Sequence, residues 1–394
     1  MKIALMDIKR QHEEHAQEYE NVAIEVLRSG KYILGENVTK FEKEFSSYCG
    51  VKHAIGVGNG TDALQIALKS LGIGFGDEVI TCPFTFFATA EAIATVGAKI
   101  VFVDVDPSTY CINVNKIESV ITEKTKAILP IHFYGQPSNM DKINEIAEKH
   151  NLFVIEDSCQ AAGSSYKGKK TGSLGTVGCF SFFPTKTLGC DGDGGMITTN
   201  DDSIADACRA LRVHGSGIHG LNTYNLLNSE QKDLDPNIDI DLTSPKYYNF
   251  VIGQNSRLDE LQAAILRKKL SYLDDFVERR RNNAKLYDDR LRDTEYIIPK
   301  TNTETIHSYY LYVLSHPNAK KIMNYLKNEG IGVGVYYPVS LHNQKALSNL
   351  GYKIGDFPES EKLSKTTFAI PVFPELLESE KEYIVSKLLE ALEI

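Results

Sequence analysis

A lysine placed between an apparent strand and a glycine-rich turn can present its amine at the edge of a sheet. Ser181-Phe182-Phe183-Pro184-Thr185-Lys186, followed by Gly192-Asp193-Gly194-Gly195, has that form. Upstream, Glu156-Asp157 closes the apolar run Leu152-Phe153-Val154-Ile155, which puts a carboxylate at a strand end. Gly60-Thr61-Asp62 opens a helical pattern whose first N–H groups have no intrahelical acceptor. Each signal alone has an ordinary reading: an isolated lysine is usually solvated, and Asp157 or Asp62 could simply cap a helix. Together they supply an amine for an aldehyde, a carboxylate for a pyridine nitrogen and backbone donors for a phosphate. That set of needs is the one pyridoxal phosphate has.

The elements that must position these groups alternate. Short strand-like segments at 54–57, 78–81, 100–104, 127–129, 152–157, 178–183 and 196–199 predict seven strands. Helical periodicity at 16–27, 38–48, 62–69, 87–96, 114–120 and 140–150 falls before and between them. This βαβ rhythm predicts an α/β domain with a broad, mostly parallel seven-stranded sheet covered on both faces. Asp157 and the loop after Phe183 then lie beyond the carboxyl ends of strands, where such folds collect their sites. Residues 217–250 lose the pattern, are rich in Asn, Ser and Asp, and predict an excursion over a site or interface. A helical run at 258–273 continues, charge-rich, to about residue 291. The remainder, with 322–327, 332–336 and 383–394, reads as a small α+β domain. We therefore divide the chain into residues 1–265, the large domain with its N-terminal segment and the excursion, and 266–394, the small one.

The 394 residues are ample for a large core, and their formal charge of -9 disfavours a nucleic-acid surface. The first seven residues become charged before a secretory apolar region develops, and no later run approaches the ~20 residues that span a bilayer. Seven dispersed cysteines, odd in number and without a C-x-x-C pair, fit a reducing, cytoplasmic setting. His214, His219, His307 and His342 show no metal-ligand spacing, so no metal is expected. His132 either lines the pocket or packs at a strand end.

Further motifs extend the pattern: Tyr32-Ile33-Leu34-Gly35, Gly58-Asn59-Gly60-Thr61-Asp62-Ala63-Leu64, Thr85-Phe86-Phe87-Ala88-Thr89, Tyr134-Gly135-Gln136, Glu156-Asp157-Ser158-Cys159-Gln160, 255–264 from Asn255-Ser256-Arg257, and Tyr337-Pro338. In these ordered motifs the chain resembles, over almost its whole length, the DegT/DnrJ/EryC1/StrS family of fold-type I, pyridoxal-phosphate-dependent nucleotide-sugar aminotransferases. The resemblance implies that Lys186 joins the cofactor aldehyde and then moves protons, and that Asp157 partners the pyridine nitrogen. It further implies that Gln160 orients the cofactor's O3′ group, that Phe86 stacks on the ring, and that Ser181 joins Gly60 and Thr61 at the phosphate. Asp62 is expected to cap that turn. Asn255 is expected to reach the phosphate of the neighbouring subunit's cofactor, which makes the unit a homodimer with shared sites. Tyr32, Tyr336 and Tyr337 are candidate contacts for the acceptor at the dimer-facing mouth.

The implied reaction transfers the amino group of L-glutamate, through pyridoxamine phosphate, to a keto sugar on a nucleotide diphosphate. The pattern leans towards a 3-keto acceptor over a 4-keto one. Tyr336 stands where relatives often have histidine, and the 217–250 excursion is longer than in compact relatives, so the sugar pocket is the part least constrained. Sugar dehydratases of this type lose the lysine, and retained Lys186 argues against them. Another amino-acid enzyme on the same scaffold and a non-catalytic regulatory protein are the remaining alternatives.

Overall fold

A computed structural model describes residues 1–227 and 247–393. The expected strands form as β1 (His53–Val57), β2 (Glu78–Thr81), β3 (Lys99–Phe102), β4 (Thr125–Ile128), β5 (Phe153–Asp157), β6 (Val177–Ser181) and β7 (Gly195–Thr199). They make one seven-stranded sheet in the order β1-β7-β6-β5-β4-β2-β3. Pairing is parallel from β6 through β3, and antiparallel only where β7 meets β6 and β1.

The helices, in chain order, are α1 (Ile8–Glu14), α2 (Ala16–Ser29), α3 (Glu36–Cys49), α4 (Gly60–Ser70), α5 (Phe87–Thr95), α6 (Met140–His150), α7 (Asp202–Leu211), α8 (Gly217–Leu227), α9 (Glu260–Leu270), α10 (Leu273–Leu291), α11 (Ala319–Asn328), α12 (Pro358–Thr366) and α13 (Glu378–Leu392). Strand alternation sorts the apolar side chains between two cores. Val79, Ile100, Phe102 and Ala127 face α4, α5 and α7, whereas their chain neighbours Ile80, Val101 and Ile128 face the opposite side with α6. Both faces are covered, which is why these strands read as continuous apolar runs.

The small domain is built on a two-stranded antiparallel ladder of β8 (Tyr312–Ser315) and β9 (Thr367–Ile370). Leu314 and Phe368 pack there with Tyr287 of α10, Leu326 of α11 and Leu388 of α13. Ile3, at the start of the chain, is buried in the same core, and the expected division at 265/266 falls within α9. Asp104, just past β3, accepts hydrogen bonds from the N–H groups of Glu359 and Ser360 and from the Ser360 hydroxyl. It thereby fills the role of a cap on α12 from a distant part of the chain and ties the two domains together.

Two expectations need correction. Residues 114–120 form two short 3-10 turns, Val114–Lys116 and Glu118–Val120, because the Asn113 side chain takes the Asn115 N–H and opens a tight turn. Residues 217–227, expected as the start of the excursion, are the helix α8, in which Thr223 is buried and Asn222 donates to Asp206 of α7. Residues 228–246 of that excursion lie outside the described residues.

Candidate active site

The aromatic side chains around β6 fix the loop that carries Lys186. Phe182 is fully buried and packs edge-on to Phe41 and Phe45 of α3, with ring centroids 5.4 and 5.5 Å apart. Such pairs contribute about 0.5–1.5 kcal/mol each beyond their buried area. The backbone then closes on itself: Phe182 N–H donates to Gly194 O, Cys190 N–H to Phe182 O and Lys186 N–H to Phe183 O, each at 2.8 Å. Lys269 of α9, only 2 % exposed, donates to Gly189 O and to Asp191 Oδ1, both at 2.9 Å. In the sequence it belongs to Arg267-Lys268-Lys269 within the helical run 258–273, and this clamp was not foreseen.

Lys186 faces a cavity of ≈ 710 Å³ whose walls include Gly60, Thr61, Asp62, Phe86, Asp157, Gln160, Ser181, Tyr336 and Tyr337. Ten of the twelve residues singled out in the sequence thus meet in one place. A volume of this size lies within the range of small-molecule sites. The Lys186 Nζ sits 4.3 Å from the centre of the Tyr310 ring, an aromatic contact the sequence reading had not picked out.

Asp157 ends β5 and is buried at 5 % exposure. Its Oδ2 accepts the Thr89 hydroxyl at 2.8 Å and its Oδ1 the Cys159 N–H at 3.2 Å. Its neighbour Glu156 points to the other side of the strand. There it accepts the N–H groups of Gly172, Leu174 and Gly175 at 2.7–2.8 Å and lies 2.9 Å from His132 Nε2. Because His132 Nδ1 accepts the Ser138 N–H, Nε2 carries the proton and donates it to Glu156. His132 is therefore packed behind the strand end, which resolves its two readings in favour of a structural role.

At the opposite wall, α4 begins under β6. A Cβ on Gly60 would lie 2.7 Å from Ser181 Cβ and 2.9 Å from Cys159 Sγ, so no larger residue fits. The N-cap is Asn59, whose Oδ1 accepts the Asp62 N–H at 2.9 Å. Asp62 had been expected to cap this turn; it occupies the third helical position instead, where its N–H is the group being capped. Among the described residues, the Gly60 and Thr61 N–H groups meet no acceptor, leaving two donors and the helix field at the cavity wall.

Gln160 Oε1 accepts the Tyr134 N–H at 2.8 Å, so its amide nitrogen is turned to Tyr337 Oη, 3.3 Å away. Phe86 is the N-cap residue of α5, is 55 % exposed and has its ring 5.5 Å from that of Tyr337. Tyr337 thus stands beside Gln160 and Phe86 in the cavity wall. Burial raises its phenol well above the usual range and keeps it a hydrogen-bond donor. Burial, with the Asp157 charge, likewise raises the Cys159 thiol, which disfavours its thiolate form.

Two expected residues are not in the cavity. Tyr32 is 48 % exposed and donates to Leu27 O, and Asn255 is exposed and bridges to Val213. They lie along one connected segment, since Tyr32 O accepts the Glu260 N–H and Ile33 pairs with Asp259. Glu260, buried, accepts the N–H groups of Asn37 and Val38 at 3.0 and 2.8 Å and so caps α3. A Cβ on Gly35 would come 2.9 Å from its carboxylate carbon, which accounts for glycine at the end of Tyr32-Ile33-Leu34-Gly35.

Among the described residues no group of three His, Cys, Asp or Glu side chains is placed to hold a metal ion, and no helix is long and apolar enough to cross a membrane. The donor set fits pyridoxal phosphate: an amine, a buried carboxylate, an exposed ring and two unpaired N–H groups beside a hydroxyl around one cavity. With a mostly parallel large sheet and a smaller C-terminal domain, the class is a fold-type I, pyridoxal-phosphate-dependent aminotransferase. The chain belongs to the DegT/DnrJ/EryC1/StrS aminotransferase family, whose pattern matches residues 13–389. It is 45% identical over 393 residues to the "Pleiotropic regulatory protein" of Geobacillus stearothermophilus, covering 99% of this chain and 98% of that one. It is 39% identical over 374 residues to the UDP-2-acetamido-2-deoxy-3-oxo-D-glucuronate aminotransferase of Pseudomonas aeruginosa, covering 95% and 96%. The crystal structure of S. venezuelae DesV in complex with a ketimine intermediate superposes with a TM-score of 0.90 at 34% identity, covering 100% of this chain and 99% of that one.

Proposed function

We propose that the protein transfers an amino group from L-glutamate to C3 of a nucleotide-linked keto sugar, cycling pyridoxal phosphate through pyridoxamine phosphate. The observation that carries this reading is the convergence of Lys186, Asp157 and the α4 N-terminus on one cavity, in a chain similar to an aminotransferase named for a 3-oxo sugar nucleotide. When bound, the cofactor supplies an aldehyde and an electron-accepting ring. Lys186 would hold the cofactor through its aldehyde carbon, and its free amine would serve as the base that moves a proton at the substrate carbon. Asp157 holds a proton on the ring nitrogen. The Gly60 and Thr61 N–H groups and the Thr61 and Ser181 hydroxyls hold the phosphate, with Asn59 capping the turn. Phe86 covers one face of the ring, and Gln160 orients the O3′ group.

A regulatory role is suggested by the name of one relative. The retained lysine and the cofactor-binding groups gathered around it favour catalysis, and a 4-keto acceptor is the nearer competitor. Supplying glutamate with UDP- and dTDP-linked 3-keto and 4-keto sugars, while following 2-oxoglutarate and aminated product, is expected to show turnover with a 3-keto sugar. Preference for a 4-keto sugar would reassign the position. No turnover of any keto sugar, alongside efficient free amino-acid chemistry, would remove the sugar reading.

The unit is proposed to be a homodimer in which Asn255 reaches the partner's phosphate and Tyr32 and Tyr336 meet the acceptor. Exposure of Tyr32 and Asn255 on one connected segment outside the cavity supports this arrangement. Mixing Lys186→Ala subunits with Asn255→Ala subunits gives hybrids with one site that holds both native residues. Random exchange is then expected to restore about one quarter of wild-type activity. Absence of recovery, with exchange confirmed, would contradict shared sites.

A further inference from the structure

Thr85-Phe86-Phe87-Ala88-Thr89 contributes more to the site than its phenylalanine. Thr89 is the third residue of α5 and is 1 % exposed. A threonine inside a helix commonly bonds back to the carbonyl four residues earlier. Here its Oγ1 lies 2.8 Å from Asp157 Oδ2, 68 residues away in the chain. It also lies 3.2 Å from the Oγ1 of Thr85, itself 2 % exposed.

The direction of this relay follows from the chemistry of its end. An ionised carboxylate only accepts, so Thr89 spends its one hydroxyl proton on Asp157, and its oxygen then accepts from Thr85. The Cys159 N–H occupies the other carboxylate oxygen at 3.2 Å. Donors on both oxygens fix the plane of the carboxylate, which a single donor would leave free to rotate, and direct its remaining lone pairs.

We infer that Thr89 is a positioning residue for Asp157, with Thr85 supporting it, and that this pair sets how strongly the site recognises the ring nitrogen of the cofactor. The inference rests on the transaminase reading above, in which Asp157 meets that nitrogen. It concerns recognition of the nitrogen by way of the carboxylate, not contact between Thr89 and the ring.

The test uses the full-length apoprotein and two non-covalent probes: pyridoxamine phosphate and its carbocyclic analogue, in which the ring nitrogen is replaced by C–H. Thr89→Val keeps the shape and removes the hydroxyl. It is expected to weaken binding of pyridoxamine phosphate about ten-fold, the worth of a hydrogen bond to a charged group, and to leave the analogue's affinity unchanged. Thr89→Ser should restore the difference, and Thr85→Val should show a smaller loss with the same selectivity for the nitrogen. Equal weakening of both probes in Thr89→Val would mean a general packing role and overturn the inference. So would unchanged preference for pyridoxamine phosphate in that variant, with the transaminase reading left standing. Wild-type protein that binds neither probe would overturn that reading and the inference together.

Discussion

Lys186→Ala protein, freed of unbound cofactor after incubation with pyridoxal phosphate, is expected to lack the aldimine band of the wild type and to lose turnover by at least about 10⁴-fold, since one amine serves both as the covalent anchor and as the proton carrier. The loop around it should survive the change. Its anchors are the buried Phe182 ring, the Phe182–Gly194 backbone bond and the Lys269 clamp, none of which involves the Lys186 side chain. Borohydride reduction of the wild-type adduct, followed by peptide mapping, should place the label on residue 186. The same reduced adduct in the variant would transfer the role to another lysine.

The second large effect is expected at Asp157. Asp157→Ala should still take up cofactor, because the phosphate donors at α4 and the Lys186 amine are untouched. Turnover should nevertheless fall roughly 10²–10³-fold, the scale on which removing one preorganised charge from a reaction centre acts. The loss should appear in exchange of the α-hydrogen of glutamate with solvent, the step at which the ring must accept electrons. Asp157→Asn provides the sharper comparison: it keeps the shape and a carbonyl acceptor for Thr89 but removes the charge. Wild-type exchange rates in that variant would dismiss the carboxylate assignment.

Much of this site could be read before the fold was in view. The seven strands were legible because burial on both faces leaves short apolar runs such as 100–103 and 127–129, bounded by turns. Asp157 and the Gly60 turn were legible because each stands at an element's end, and Lys186 because the glycine-rich loop that carries it directly follows a strand. The parts that escaped depend on contacts between distant segments. Nothing near Thr89 reports that Asp157 lies 2.8 Å away, and nothing near Lys269 reports a buried carbonyl above it. The β8 and β9 ladder joins two four-residue segments about fifty residues apart, too short to stand out alone. Helix α8 contains Gly217, Gly220 and two asparagines, poor helix formers whose preference yields to packing on α7. Asn59 was the subtlest miss: with Asp62 in view as an acidic capping residue, the true cap lay three positions earlier.

The Glu156-Asp157 pair gives β5 a means of checking its own alignment. A strand that slips by one residue turns every side chain to the opposite face. In such a slip the longer Glu156 would enter the cavity, and Asp157 would be presented to the 172–175 loop. Three backbone N–H groups and His132 would then lose the carboxylate that now satisfies them, while Thr89 and the Cys159 N–H would lose theirs. Unsatisfied buried donors cost about 1–3 kcal/mol each, so the misaligned strand is penalised on both faces at once. Two adjacent acids of different length thus act as a molecular vernier, each matched to the donors on its own face of the sheet.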